Sequence, residues 1–224
     1  MNDTIAAAPR HNAAIRGRYE GGDGDAPMTA LIRPATPDDL EPLLAMQQRS
    51  LRLLGAAFYD REVLEAALAE MGTMDPRLIG DGTYLVAELE GRIAGSAGWT
   101  LRKPNYARLM RETLLPLPGR CGTVRSVYVA PEVTRRGIAR RLMAAVEQRL
   151  AAEGAEVAEL MATLSGVPLY DALGYCAVSD HVLALGGRMA FPVVRMVRPM
   201  PAHRAVMAHR AGAAAPCPAA AAAP

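Results

Sequence analysis

Apolar residues four apart, Ile138, Leu142, Val146 and Leu150, mark the buried stripe of a helix that begins at about Gly137 and stops before Gly154, a residue suited to a left-handed terminator. Asp60 to Met71 carries the same periodicity in Val63, Leu64, Ala67, Leu68 and Met71. Thr36-Pro37-Asp38-Asp39 supplies a capping residue, a proline at the first helical position and an acidic first turn, which predicts a further helix to about Leu54. Strand patterns fall at Leu31 to Arg33, Tyr84 to Glu90, Ile93 to Leu101, Thr123 to Val129, Val157 to Thr163, Tyr175 to Leu185 and Met189 to Val197. The second and third make a hairpin across Gly91-Arg92, and the last two join across Gly186-Gly187-Arg188. Val167 to Leu173 reads as a short helix. The strand, crossover helix and strand from 123 to 163 form a βαβ unit, so those two strands are predicted to run parallel, within an α+β fold.

Both ends of the chain lack this patterning. Residues 1–27 are rich in Ala, Gly and Asp, and 201–224 are dominated by Ala, Pro, His and Arg without an acidic residue, so both are expected to be disordered around a single domain at 28–200. The 224 residues suffice for one full core, and a formal charge of +2 gives no general reason to expect nucleic acid. No apolar run is long enough to cross a bilayer, and the N-terminus lacks the apolar centre of a signal peptide. Cys121, Cys176 and Cys217 form no CxxC pair and read as reduced thiols. A cytoplasmic protein without a structural metal is expected.

The chemistry is concentrated in Val127 to Met143, VYVAPEVTRRGIARRLM, where a strand ends at Ala130-Pro131 and a basic turn leads into the helix. A helix start has N–H groups without partners and carries about half a positive charge, so it suits an anion. Gly137 and Ala139 leave room for a pyrophosphate, and Arg135, Arg136, Arg140 and Arg141 add charge around it. Thr134 to Ala139 resembles the acyl-CoA pyrophosphate loop of the GNAT superfamily of N-acyltransferases, Gln/Arg-x-x-Gly-x-Gly/Ala, with Thr134 standing where Gln or Arg is usual. The resemblance extends over nearly all of residues 29–198 and includes the order of elements and the first strand after Met28, a candidate natural start. It implies a mixed central sheet of about six to seven strands flanked by about four helices.

A second block, Ser165 to Tyr175, resembles the family's Tyr-x-x-x-Gly-Phe/Tyr element at Tyr170, Gly174 and Tyr175. The resemblance makes Tyr170 the general acid that protonates the departing thiolate, the alternative being a tyrosine that only packs with Leu169 and Leu173. It places the acyl-CoA against the strand Val127, Tyr128 and Val129, whose main chain would hold the thioester, and against Arg135, Arg136, Gly137, Ile138, Ala139 and Arg140. An alkylamine with a pKa of about 10.4 must lose a proton before it attacks. Many relatives carry a carboxylate on this strand, where Arg125 and Ser126 stand here; Glu62, Glu88, His181 or a water relay remain as the base. Trp99 and Tyr106 are candidates for the acceptor cleft, with core packing the alternative for Trp99, and the proline-containing stretch 102–120 is expected to cover it.

The reading implied is an N-acetyltransferase that moves an acetyl group from acetyl-CoA to a primary amine of a small molecule or protein by direct attack in a ternary complex. It leaves a homodimer open and expects neither nucleic acid nor membrane as partner. Its rivals are a catalytically silent acyl-CoA sensor, which would need the Gly137 loop but not Tyr170, and a nucleic-acid binder using the arginines and basic tail.

Overall fold

The computed structural model describes residues 30–102, 109–110, 114–186 and 188–200. The expectations for 1–27, Met28, Tyr106, Gly187, Cys217 and the tail lie outside them. A seven-stranded sheet runs in the order β1-β2-β3-β4-β5-β7-β6. Its strands are β1 (Leu31–Pro34), β2 (Tyr84–Leu89), β3 (Arg92–Thr100), β4 (Cys121–Val129), β5 (Val157–Thr163), β6 (Cys176–Leu185) and β7 (Met189–Pro199). Only β4 and β5 are parallel, as the intervening crossover helix requires.

Among the described residues five α-helices accompany the sheet: α1 (Leu40–Gly55), α2 (Arg61–Glu70), α3 (Arg77–Gly80), α4 (Ile138–Ala152) and α5 (Val167–Ala172). That is one more than the four expected. The addition is α3, a single turn behind Pro76 that is too short to show an apolar period. The first hairpin also turns one residue earlier than predicted. Glu90 (φ 52°) and Gly91 (φ 72°) both adopt left-handed angles, the requirement of a two-residue turn matched to strand twist, so Arg92 already belongs to β3.

The stripe of α4, Ile138, Leu142, Val146 and Leu150, is buried with Met143 against Leu85, Ala97, Trp99 and Val124 on one face of the sheet. On the other face α1 buries Leu43 and Met46 beside Tyr84 and Val86, and α2 buries Leu64 and Ala67 beside Leu185 and Phe191.

The start of α1 is tied to the sheet by a charge cluster. Arg33 on β1 donates from Nη1 and Nη2 to both oxygens of Asp39 (2.7 and 2.9 Å) and from Nε to Glu88 on β2 (2.9 Å). Asp39 also accepts the N–H of Thr36 (2.7 Å) and its hydroxyl (3.0 Å), completing a capping box. The Arg33 hydrogen bonds, with those of Thr36, hold the Asp39 carboxyl well below the usual carboxylate range. A group depressed in this way stabilises the fold fully above its unfolded pKa of about 3.9 and loses that contribution as pH falls through the folded value. Asp39→Asn is expected to cost about 1.5–3 kcal/mol at neutral pH and to flatten the loss of stability below pH 4, as read by urea titrations across pH. A variant with unchanged stability at pH 7 would contradict this role.

Candidate active site

β4 and β5 pair at only three positions, Cys121↔Val157, Gly122↔Ala158 and Thr123↔Glu159, and then diverge. A bulge on β4 lies just beyond the last pair. Ser96 faces Tyr128 and Gly98 faces Arg125, so both Ser126 and Val127 fall opposite the single residue Ala97, and Ser126 adopts a left-handed φ of 51°. Such an angle is costly outside glycine and persists where its surroundings impose it. Here a buried polar cluster grips the Ser126 carbonyl. The Tyr84 and Ser96 hydroxyls donate to it (3.2 and 3.3 Å), and Gln47 of α1 donates from Nε2 to both of them (2.6 and 3.0 Å). Burial pushes the Tyr84 phenol up to about 12, so it remains a donor. Its ring lies over Gly98, where a Cβ would come within 2.5 Å of it.

After the bulge the strand recovers its alternation. The Ala130 N–H donates to Ala94 of β3 (2.9 Å), so the N–H of Val129, and that of Val127 two residues before it, face the gap where β5 has moved away. The N–H of Tyr128 points back to β3, so this residue meets the gap through its side chain.

The chain then passes through a 3-10 turn at Pro131–Val133, and Thr134 closes it by donating from Oγ1 to the Pro131 carbonyl (3.2 Å). Arg135 (φ 66°) and Gly137 (φ 76°) both take left-handed angles, a conformation that gathers main-chain N–H groups into a concave anion site. The helix ladder opens with the Arg141 N–H on Gly137 (3.1 Å), so the N–H groups of Ile138, Ala139 and Arg140 head the helix. Arg135, Arg136, Gly137 and Arg140 are exposed around this end. Ile138 turns its side chain into the core and offers the anion only its N–H. The arrangement fits a pyrophosphate.

Between the parted strands and the segment following α2 lies a cavity of about 130 Å³, reaching from Val127, Tyr128 and Tyr170 to Thr73, Arg125 and Phe191. Tyr170 is carried on α5, which starts after Gly166, and its ring meets Tyr175 edge-on with centroids 5.9 Å apart. Burial raises the Tyr170 phenol well above its ordinary value. The Tyr128 phenol is raised for the same reason, with the neighbouring Tyr84 and Tyr170 adding to it.

None of the base candidates lines this cavity. Glu62 is exposed on α2, and Glu88 is bound to Arg33. His181 pairs in register with Val193, a cavity wall, and its Nε2 lies 2.7 Å from the Ser179 hydroxyl, one strand further out. Trp99 is a core residue and not part of the acceptor cleft. It is 2% exposed, faces α4 and donates from Nε1 to Glu153 (2.7 Å). Of the stretch 102–120, Met110 forms an isolated β-bridge with Leu183, another wall residue, which brings this connection to the edge of the cavity. Residues that the sequence did not point to are Thr73, the clamp of Gln47, Tyr84 and Ser96, and the cavity position of Arg125.

A mixed sheet opened at its one parallel pair, with an anion turn at the end of the same strand, defines the class of coenzyme A-dependent acyltransferases. The model of the acetyltransferase (GNAT) family matches residues 47–175, and the chain belongs to that family, whose acetyl donor is acetyl-CoA. No curated protein matches the chain. Among solved structures, a GCN5-related N-acetyltransferase from Rhodopseudomonas palustris is 22% identical over 79% of this chain and 99% of its own, with a TM-score of 0.60. The PaiA N-acetyltransferase from Thermoplasma acidophilum, solved in complex with coenzyme A, is 17% identical over 77% and 99%, with a TM-score of 0.57. The ribosomal-protein-alanine N-acetyltransferase from Brucella melitensis is 23% identical over 75% and 99%, with a TM-score of 0.50. These likenesses establish the fold.

Proposed function

We propose that this chain transfers the acetyl group of acetyl-CoA directly to a primary amine while both substrates are bound, and that it does so in the cytoplasm. The observation that carries this reading is the meeting of Tyr170 with the bulged, open edge of β4 at one cavity, a strand's end away from the anion turn. Acetyl-CoA supplies an acetyl thioester; the amine nitrogen bonds to its carbonyl carbon, the C–S bond breaks, and an amide and a free thiol leave. One N–H of the open main chain at Val127 to Val129 polarises the carbonyl and holds the charge that develops on its oxygen. The main chain at Gly137 to Arg140, with Arg135, Arg136 and the Arg140 side chain around it, holds the pyrophosphate. Tyr170 donates its hydroxyl proton toward the sulfur as the bond breaks. Among the described residues no Asp, Glu or His lines the cavity, so the proton of the attacking amine leaves through water.

Among the described residues no helix is long and apolar enough to cross a membrane. A panel of amines assayed for thiol release from acetyl-CoA tests the proposal. Turnover with at least one amine, giving the N-acetyl product, is expected. Tight binding of CoA without turnover of any amine would instead support the acyl-CoA sensor.

A further inference from the structure

The bulge in β4 decides which way the main chain beyond it faces. On β3 the Trp99 N–H donates to the Thr83 carbonyl at the head of β2 (3.0 Å), so its neighbour Thr100 turns to β4, and Thr123 opposite it turns to β3. Counted on by twos along an unbroken strand, Val127 and Val129 would face β3 as well, their N–H groups taken up by the ladder. The extra residue at Ser126 and Val127 reverses that alternation, so that Ala130 donates to β3 and Val129 does not. The bulge therefore sets which N–H groups meet the gap: with it those of Val127 and Val129, without it those of Ser126 and Tyr128.

The local sequence does not favour this course, because Ser126 is not glycine and its φ of 51° is strained. The compensation comes from residues distant in the chain. Gln47 and Ser96 are fully buried and Tyr84 nearly so. Each hydroxyl has one proton to give, whereas the Gln47 amide nitrogen has two. By donating one to each hydroxyl, Gln47 leaves both hydroxyl protons for the Ser126 carbonyl. The hydroxyls also lie 3.3 Å from each other, so the cluster moves as a unit. With the amide turned over, its oxygen would draw those protons to itself and the carbonyl would lose its donors.

This orientation carries a cost of its own. Gln47 Oε1 is buried without a hydrogen-bond partner among the described residues. An orphaned acceptor, a strained serine and a polar cluster in a layer otherwise made of Leu43, Met46 and Val86 all lower stability. Their common result is the bulged course of β4.

Resting on the transferase reading above, we propose that Gln47, Tyr84 and Ser96 are positioning residues for acyl transfer: acting through the Ser126 carbonyl, they hold the bulge that aims an open β4 N–H at the thioester carbonyl of acetyl-CoA.

The test uses the full chain and two readouts. One is kcat with the best amine of the panel, and the other is the infrared stretch of bound acetyl-CoA isotope-labelled at its thioester carbonyl, which falls as the carbonyl is polarised. Gln47→Met removes the amide and keeps a side chain of similar length. It is expected to lower kcat by about 10- to 100-fold, the scale of a small misplacement at a reacting centre, and to return the band toward that of free acetyl-CoA. Affinity for CoA, which has no thioester carbonyl and is held at the Gly137 turn, is expected to change little. Tyr84→Phe combined with Ser96→Ala should reproduce both effects. In that background Gln47→Met should lower kcat by less than about threefold more, because the amide acts through those hydroxyls. A role confined to stability would lower the melting temperature but leave kcat and the band unchanged wherever the protein is folded. That result, or losses that multiply in full in the triple variant, would overturn the proposal. If Gln47→Met does not fold, Ser96→Ala alone carries the decision by the same readouts. Failure of every amine would remove the transferase reading, and the band in the acetyl-CoA complex would still decide the clamp. A band lowered in the wild type and restored in the variants supports it, and a band equally lowered in both overturns it.

Discussion

Replacing Tyr170 by phenylalanine is expected to lower kcat by about 10- to 10⁴-fold while the affinity for acetyl-CoA changes little. The substitution removes one hydroxyl and keeps the ring, so the edge-on contact with Tyr175 and the packing of α5 survive. Burial has raised the phenol above its ordinary pKa, whereas a thiol in water ionises near about 8.5. The phenol therefore stays protonated throughout the working range. It assists most while the C–S bond is breaking, as a hydrogen-bond donor to growing negative charge. For the same reason the loss in Tyr170→Phe should be similar at all pH values, without displacement of either limb of the pH–rate profile. Steady-state kinetics with the best acceptor of the amine panel, from about pH 6 to pH 9.5, would measure it. Wild-type kcat across that range would dismiss the donor role and leave thiolate protonation to water.

Gly137→Glu is expected to weaken CoA binding by at least about 100-fold in a protein that remains folded, because a carboxylate would then stand where N–H groups converge on a diphosphate. The left-handed φ of 76° adds strain of about 1–2 kcal/mol for any side chain, small beside the roughly 5–15 kcal/mol that holds an ordinary domain together. A Cβ at this position meets nothing within 4 Å, so the fold itself does not exclude a side chain there. Gly137→Ala shares the strain without the charge and serves as the control. Calorimetry should therefore give a clear order, with glycine tightest, alanine weaker and glutamate weakest. Equal affinity for glycine and glutamate would remove the phosphate-turn assignment.

The order of elements was legible because each long element has a period that its burial imposes. The stripe of α4 and the crossover between β4 and β5 both follow from residues a few positions apart. The turn into α4 was legible for a similar reason, since Gly137 serves a local backbone angle. What escaped depends on residues distant in the chain. Gln47, Tyr84, Ser96 and Ser126 come from one helix and three strands, and nothing in their spacing brings them together. One signal was present: Gln47 and Ser50 fall on the face of α1 that buries Leu43, Met46 and Leu51, and a polar residue in an apolar stripe asks for a buried partner. Trp99 could not be placed by strand alternation alone, because β3 is buried on both faces. Arg125 looked like the absence of a carboxylate, and only the structure placed it on the cavity wall.

The opening between β4 and β5 also makes two layers of exchange kinetics within one sheet. By strand order Val127 and Val129 sit in its middle, where amides normally give up their protons to solvent only through large openings of the fold. Yet their N–H groups face a gap, so they should exchange as quickly as those of an outer strand, while the Ala130 amide beside them, bonded to Ala94, is retained. Filling the gap with the acyl donor would slow the first two and leave the third as it was. The centre of the sheet thus carries its own record of whether the donor site is filled, readable at individual amides without any added probe.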